Sequence, residues 1–148
     1  MYDKFGQFIN GKWVKSSSGE TYDVINPATE EILGKASKAN EKDINMALLS
    51  AQKGFEIWKN TSPWERSKVI RKISELMRKK VNTLSKWLTL EVGKPLTEGA
   101  GEVGGAADIF EWNSEETKRI FGETNQSRFP NTKILVNYEP VGVVAALV

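Results

Sequence analysis

The sequence predicts an α/β chain, with short strands first, four helices in the middle and two further strands at the end. Three observations predict it. An Asn-Gly dipeptide at 10–11 divides two short apolar pieces, the strongest short-range signal of a hairpin. From Asn40 onward, apolar residues recur at the 3, 4, 7 spacing of a helical face. Finally, Val141–Val148 is continuously apolar and follows Pro140, the pattern of a strand buried on both faces of a parallel sheet. A parallel strand needs a crossover of about a dozen residues to reach its neighbour, and none follows within these 148 residues.

The elements follow in order. Phe8-Ile9 and Trp13-Val14 flank the Asn10-Gly11 turn, and Ser16-Ser17-Ser18-Gly19 is a polar loop. Thr21–Ile25 is a strand closed by Asn26-Pro27, and Ile32–Ala36 a third, so residues 1–39 are expected to form a β-meander. Asn40 caps the first helix, with Glu41 and Asp43 placing negative charge at its positive end. Ile44, Ala47, Leu48, Ala51, Phe55 and Trp58 form its apolar face as far as Asn60. Ser62 and Pro63 restart the pattern, and Val69, Ile70, Ile73, Leu76 and Met77 are the expected buried stripe of the second helix.

Asn82 or Thr83 is the expected cap of a third helix, which Gly93 ends in the left-handed conformation and Pro95 forbids to continue. The fourth spans about Thr97 to Arg119, with Ala100, Val103, Ala107, Phe110 and Ser114 along one edge. Gly99, Gly101, Gly104 and Gly105 each cost that helix about 1 kcal/mol relative to Ala. Close backbone packing is the expected offset. Residues 122–127 are a polar connector, and Thr132–Tyr138 is a strand rich in branched residues.

Composition narrows the chemistry. An apolar fraction of 39% with 27% charged residues belongs to a globular chain rather than a disordered one. The net charge of +2 is spread over interleaved acids and bases, so neither nucleic acid nor an anionic membrane is an expected partner. The basic second helix, Arg66 to Lys80, is interrupted by Glu75 and lacks interleaved aromatic platforms, which makes it a solvated face. Cys and His are both absent, which excludes thiol and Ser-His-Asp catalysis within these residues and nearly all zinc sites. Met1–Phe5 has no basic segment leading into an apolar core, and no apolar run approaches the ~20 residues of a membrane span. A cytoplasmic protein is expected.

Three motifs fail on context. Gly99-Ala100-Gly101-Glu102-Val103-Gly104 spells G-x-G-x-x-G, but a dinucleotide-binding turn must follow a strand, and this one follows a helix and Pro95. Gly93-Lys94-Pro95 puts proline where a phosphate-binding loop needs a hydroxyl. Glu91 and Glu102 have the residue types of an acid–base pair, but a residue near a helix end is the simpler reading of Glu91.

Six separated strings, in order, resemble the NAD(P)-dependent aldehyde dehydrogenase superfamily. They are Phe8-Ile9-Asn10-Gly11-Lys12-Trp13, Asn26-Pro27-Ala28-Thr29-Glu30-Glu31, the helix ending Phe55 and Trp58, Arg66, Glu91-Val92-Gly93-Lys94-Pro95, and Tyr138-Glu139-Pro140-Val141-Gly142-Val143-Val144-Ala145-Ala146. Phe110-Glu111-Trp112, Glu115-Glu116 and Lys118–Gly122 look most like its succinate-semialdehyde dehydrogenase branch, from which Asn113-Ser114 departs.

The resemblance implies the N-terminal part of an aldehyde dehydrogenase fold. Residues 1–127 would belong to the cofactor-binding domain, with 1–39 as the meander and 40–122 as a helical layer. Residues 128–140 would begin an oligomerisation arm, and 141–148 would be the first strand of a Rossmann-like core. It further implies oxidation of an aldehyde, such as succinic semialdehyde, through a cysteine thioester with NAD or NADP, in a homo-oligomer. The cysteine, the water-activating glutamate and the oxyanion asparagine of that chemistry map beyond Val148. No catalytic, cofactor-binding or metal residue is therefore assigned, these residues alone are expected to be inactive, and no cofactor is expected to bind them. Some members hold a monovalent cation at positions matching Val24, Ile25 and Glu102; a plain surface carboxylate is the reading kept for Glu102. The alternative to the enzyme segment is a non-catalytic interaction module that pairs through the 132–138 strand.

Overall fold

The computed structural model describes residue 2 and residues 5–147. Met1, Asp3 and Lys4, used in reading the N-terminus, and Val148 of the last expected strand lie outside the described residues. Strands β1 (Gln7–Ile9) and β2 (Lys12–Val14) form the hairpin that Asn10-Gly11 predicts, with Phe8 opposite Trp13. Both turn residues have positive φ, 52° and 74°, which is what a two-residue turn matched to strand twist requires. Strands β3 (Thr21–Ile25) and β4 (Ile32–Ser37) form a second antiparallel hairpin, with an irregularity between Val24 and Ile25. Its turn is held by Asn26, whose side-chain oxygen accepts from the Ala28 N–H at 2.9 Å.

The meander expected over 1–39 is therefore corrected to two separate hairpins. The cause is local. Ser16 and Ser17, which would have to lead β2 into pairing with β3, are taken instead by the first turn of the following helix.

That helix, α1 (Glu41–Lys59), begins with a complete capping box: Asn40 accepts from the Asp43 N–H, and Asp43 accepts from the Asn40 N–H. Helix α2 (Pro63–Lys79) starts as read, with Ser62 accepting from the Glu65 N–H and Pro63 in the first position. Helix α3 (Val81–Val92) starts at Val81, ahead of the Asn82 or Thr83 cap the sequence suggests. Lys80 alone separates it from α2: its N–H donates to Leu76 and Met77, and its carbonyl accepts from Thr83 and Leu84. No side chain is needed as a cap, because the break is a single residue wide. Gly93 closes α3 at φ 78°, and a Cβ there would come within 2.9 Å of Pro27, so this glycine also seats the β3–β4 turn.

Helix α4 (Leu96–Glu116) runs into a 3₁₀ turn at Thr117–Arg119. Its packing corrects two expectations. First, the seam against α2 and α3 is built of small residues. Val103 and Ala107 are the buried apolar side chains among the described residues, at 8% and 0% exposure, while Ser67, Ser74, Ser85 and Ser114 are buried beside them. The stripe of α2 is covered only in part, with Ile70 and Met77 half-buried and Val69, Ile73 and Leu76 exposed, because backbones brought together by small residues leave long side chains at the rim. Second, close approach accounts for one glycine of the four: a Cβ on Gly99 would sit 3.1 Å from the Ser85 carbonyl oxygen, whereas Gly101, Gly104 and Gly105 face open space.

Residues 123–126, read as connector, form strand β5 (Glu123–Gln126), paired antiparallel with β6 (Lys133–Val136). The loop between them supplies what the composition did not announce: Asn131 at φ 57° and a Ser127 N–H donated to the Thr132 carbonyl. The strand read at 132–138 is thus shortened. Residues 141–147 join no strand among the described residues.

Candidate functional site

Three polar constellations hold the elements together. The first is centred on Asp43, buried at 1% exposure. Its carboxylate accepts from Gln7 Nε2 at 3.0 Å, Ser16 Oγ at 2.9 Å, and the N–H groups of Ser17 and Asn40. The Gln7 hydrogen bond above all, aided by the Asn40, Ser16 and Ser17 donors, holds the Asp43 carboxyl well below the usual carboxylate range against the opposing effect of burial. This role was legible only in part: the sequence offers the cap, not the strands it collects.

The second joins α2 to α4. Arg71 pairs with Glu111 at 3.2 Å and with Glu115, while Arg78 pairs with Asp108 at 2.5 Å and Glu111 at 2.9 Å. Lys118 and Arg71 together lower the Glu115 carboxyl. Arg71 and Arg78 of the basic α2 are therefore matched by acids at 108, 111 and 115 of α4.

The third lies between α3 and α4. Glu91 accepts from the Tyr2 hydroxyl, and Glu102 pairs with Lys94. Both carboxylates border one shallow groove over Trp87, Leu84 and Val103, so the fold does gather the two acids. Each is already committed to a partner. The Glu102 carboxylate facing the Lys94 ammonium does not fit the role of cation ligand, and no cluster of His, Cys, Asp or Glu suited to a metal occurs among the described residues.

A groove of about 630 Å³ is walled by Phe55 and Trp58 of α1, Arg66 and Ile70 of α2, and Phe121 and Tyr138. It could not be read from sequence, because its walls come from four separated stretches.

The Gly99–Gly104 string does not form a dinucleotide-binding turn. Gly99, Gly101 and Gly104 lie within α4, Gly99 packs on Ser85, and the helix starts at Leu96 behind Pro95 with no preceding strand.

The order of hairpins, helical layer and third hairpin has counterparts in known proteins. Residues 13–148 match the aldehyde dehydrogenase family, and the chain belongs to it. It is 38% identical over 140 residues to a glutarate-semialdehyde dehydrogenase of Pseudomonas putida, covering 95% of this chain and 29% of that protein. It is 36% identical over 139 residues to the succinate-semialdehyde dehydrogenase [NADP(+)] of Escherichia coli, covering 94% of this chain and 29% of that protein. Among solved structures, an apo betaine aldehyde dehydrogenase mutant of Staphylococcus aureus matches with a TM-score of 0.85 and 29% identity, over 92% of this chain and 28% of that one. An NADP-dependent enzyme of E. coli matches with a TM-score of 0.83 and 34% identity, over 90% and 28%. The chain thus spans less than a third of the length of these relatives.

Proposed function

We propose that this chain supplies the N-terminal helical layer of an NAD(P)-dependent aldehyde dehydrogenase. Its substrate would be a semialdehyde, succinic semialdehyde or a close analogue, oxidised to the carboxylic acid. One observation carries the reading: relatives named as semialdehyde dehydrogenases are 36–38% identical across more than nine-tenths of the chain. The geometry supports it, because the polar contacts of Asp43, Arg71 and Arg78 serve to join elements of the layer. In this reading residues 1–127 belong to the cofactor-binding domain, 128–140 begin an arm that joins subunits of a homo-oligomer, and 141–148 enter the cofactor sheet. The cofactor, NAD or NADP, is held by other parts of such a subunit, which is cytoplasmic.

The test is a graft. Residues 1–148 replace the matching segment of the P. putida relative, and NAD(P)H formation is followed at 340 nm with succinic and glutaric semialdehydes. Activity in the graft is expected, and none for the 148 residues alone. A folded graft that is inactive on every semialdehyde, or turnover by the 148 residues alone, would overturn the reading. A second reading, an interaction module pairing through 132–138, draws on the exposure of Ile134 and Leu135 on β6. It predicts a folded but inactive graft.

A further inference from the structure

We propose that Asn10 is a site of spontaneous covalent modification, at which its carboxamide closes on the backbone nitrogen of Gly11 and is hydrolysed to aspartate and isoaspartate. The observation is an asparagine whose side chain the fold leaves unused. Asn10 and Gly11 are exposed at the tip of the β1–β2 hairpin, and the Asn10 carboxamide has no hydrogen-bond partner among the described residues. Nothing lies within 4 Å of the position a Gly11 Cβ would take. Other asparagines are committed: Asn40, Asn60, Asn113 and Asn125 hold hydrogen bonds through their side chains. Asn26 precedes Pro27, whose nitrogen carries no proton to lose.

The step needs only water and involves no change of oxidation state. The Gly11 nitrogen gives its proton to solvent hydroxide and bonds to Cγ of Asn10; the bond from Cγ to the amide nitrogen breaks, and ammonia leaves with a proton taken from water. Water then opens the cyclic imide. Attack at Cγ yields aspartate, and attack at the main-chain carbonyl yields isoaspartate. Gly11 permits the closure because no Cβ crowds its nitrogen. Asn131 is exposed and shares the left-handed backbone, at φ 57° against 52° for Asn10, but the branched Thr132 follows it and obstructs the same attack. The turn must open for the nitrogen to reach Cγ, and a hairpin of two three-residue strands opens locally at little cost. Aspartate suits such a turn as well as asparagine does. Isoaspartate does not, because it routes the backbone through the side chain and lengthens the turn, which disturbs the pairing of Ile9 with Lys12 and Phe8 with Trp13. The hairpin carries Gln7, so the change reaches the Asp43 anchor. The proposal does not rest on the dehydrogenase reading.

The test ages the 148-residue protein at mildly alkaline pH, with helical circular dichroism to follow the fold, and then maps it with trypsin. Cleavage frees Asn10 in Phe5–Lys12 and Asn131 in Phe129–Lys133. Mass spectrometry reads the amide-to-acid shift, and methylation by protein isoaspartyl methyltransferase reads isoaspartate. The expected result is a mass shift and methyl acceptance on Phe5–Lys12, faster as pH rises, with Phe129–Lys133 unchanged. Hydrogen exchange across Gln7–Val14 should quicken in the aged protein and stay at the unaged rate in Asn10→Asp. Conversion of Asn10 only in urea overturns the proposal, as does conversion of Asn131 at the same rate. So does methyl acceptance that persists undiminished in Asn10→Gln, or an aged protein that exchanges no faster than Asn10→Asp.

Discussion

The hydroxyl of Ser16 donates to the carboxylate of Asp43 at 2.9 Å, joining the loop after β2 to the first turn of α1. One helix cap thereby organises three stretches of chain, since Gln7 and Ser17 donate to the same carboxylate. Asp43→Ala should release the first hairpin from the helix as well as weaken the helix start. Hydrogen exchange at Gln7–Val14 and at the first turn of α1 should accelerate together. Acceleration confined to the helix would contradict the shared anchor.

The same carboxylate sets an acid limit. Its folded-state pKa lies below the ordinary 3.8, so its contribution is present above about pH 4 and is lost as pH falls through the lowered value. The melting temperature should decline on acidification below pH 4 more steeply in the wild type than in Asp43→Asn, which cannot titrate. Parallel declines would remove Asp43 from the acid response.

At the alkaline end, burial and then Glu91 push the Tyr2 hydroxyl up to about 12. A raised phenol favours the folded state below its ordinary value of 10 and ceases to do so as pH climbs towards 12. Phenolate absorbance near 295 nm should show a late step that Tyr2→Phe lacks. An unchanged titration curve in that variant would argue against docking of Tyr2 on α3.

The glycines of α4 should divide by environment. Gly101→Ala and Gly104→Ala meet no neighbour and should each stabilise the chain by about 0.5–1 kcal/mol. Gly99→Val must push on the Ser85 carbonyl and should cost about 1–3 kcal/mol. Urea denaturation gives all three, and a gain at Gly99→Val would refute the close contact.

Gly93→Ala should cost about 1–2 kcal/mol for its left-handed backbone, with a further penalty from Pro27. Pairing it with Pro27→Ala in a double-mutant cycle separates the two. Strict additivity would mean that the turn and the helix end are not coupled.

Much of this architecture was legible. Asn10-Gly11, Asn40, Ser62-Pro63 and Gly93 act through local backbone chemistry, and each does in the fold what its residue type dictates. What stayed hidden depends on partners distant in sequence. Glu123–Gln126 is too polar to announce a strand, and becomes one because Lys133–Val136 returns alongside it. Val69, Ile73 and Leu76 keep a helical period that says they belong on one face, but not whether anything covers that face. Val141–Leu147 favours strand strongly, and composition cannot supply the neighbour that a strand requires. The candidate sites were legible mainly as exclusions, because missing Cys and His are visible in a sequence and a groove with four walls is not.

The serine-lined seam of α2, α3 and α4 has an evolutionary corollary. A contact made by nearly bare backbones has little volume to lose and none to gain, so its tolerance is one-sided. Drift towards alanine at 67, 74, 85 and 114 passes almost unnoticed, while any larger side chain wedges the layer apart. Sequence variation along this seam should therefore be narrow in size and wide in polarity, the inverse of the pattern in an oil-filled core.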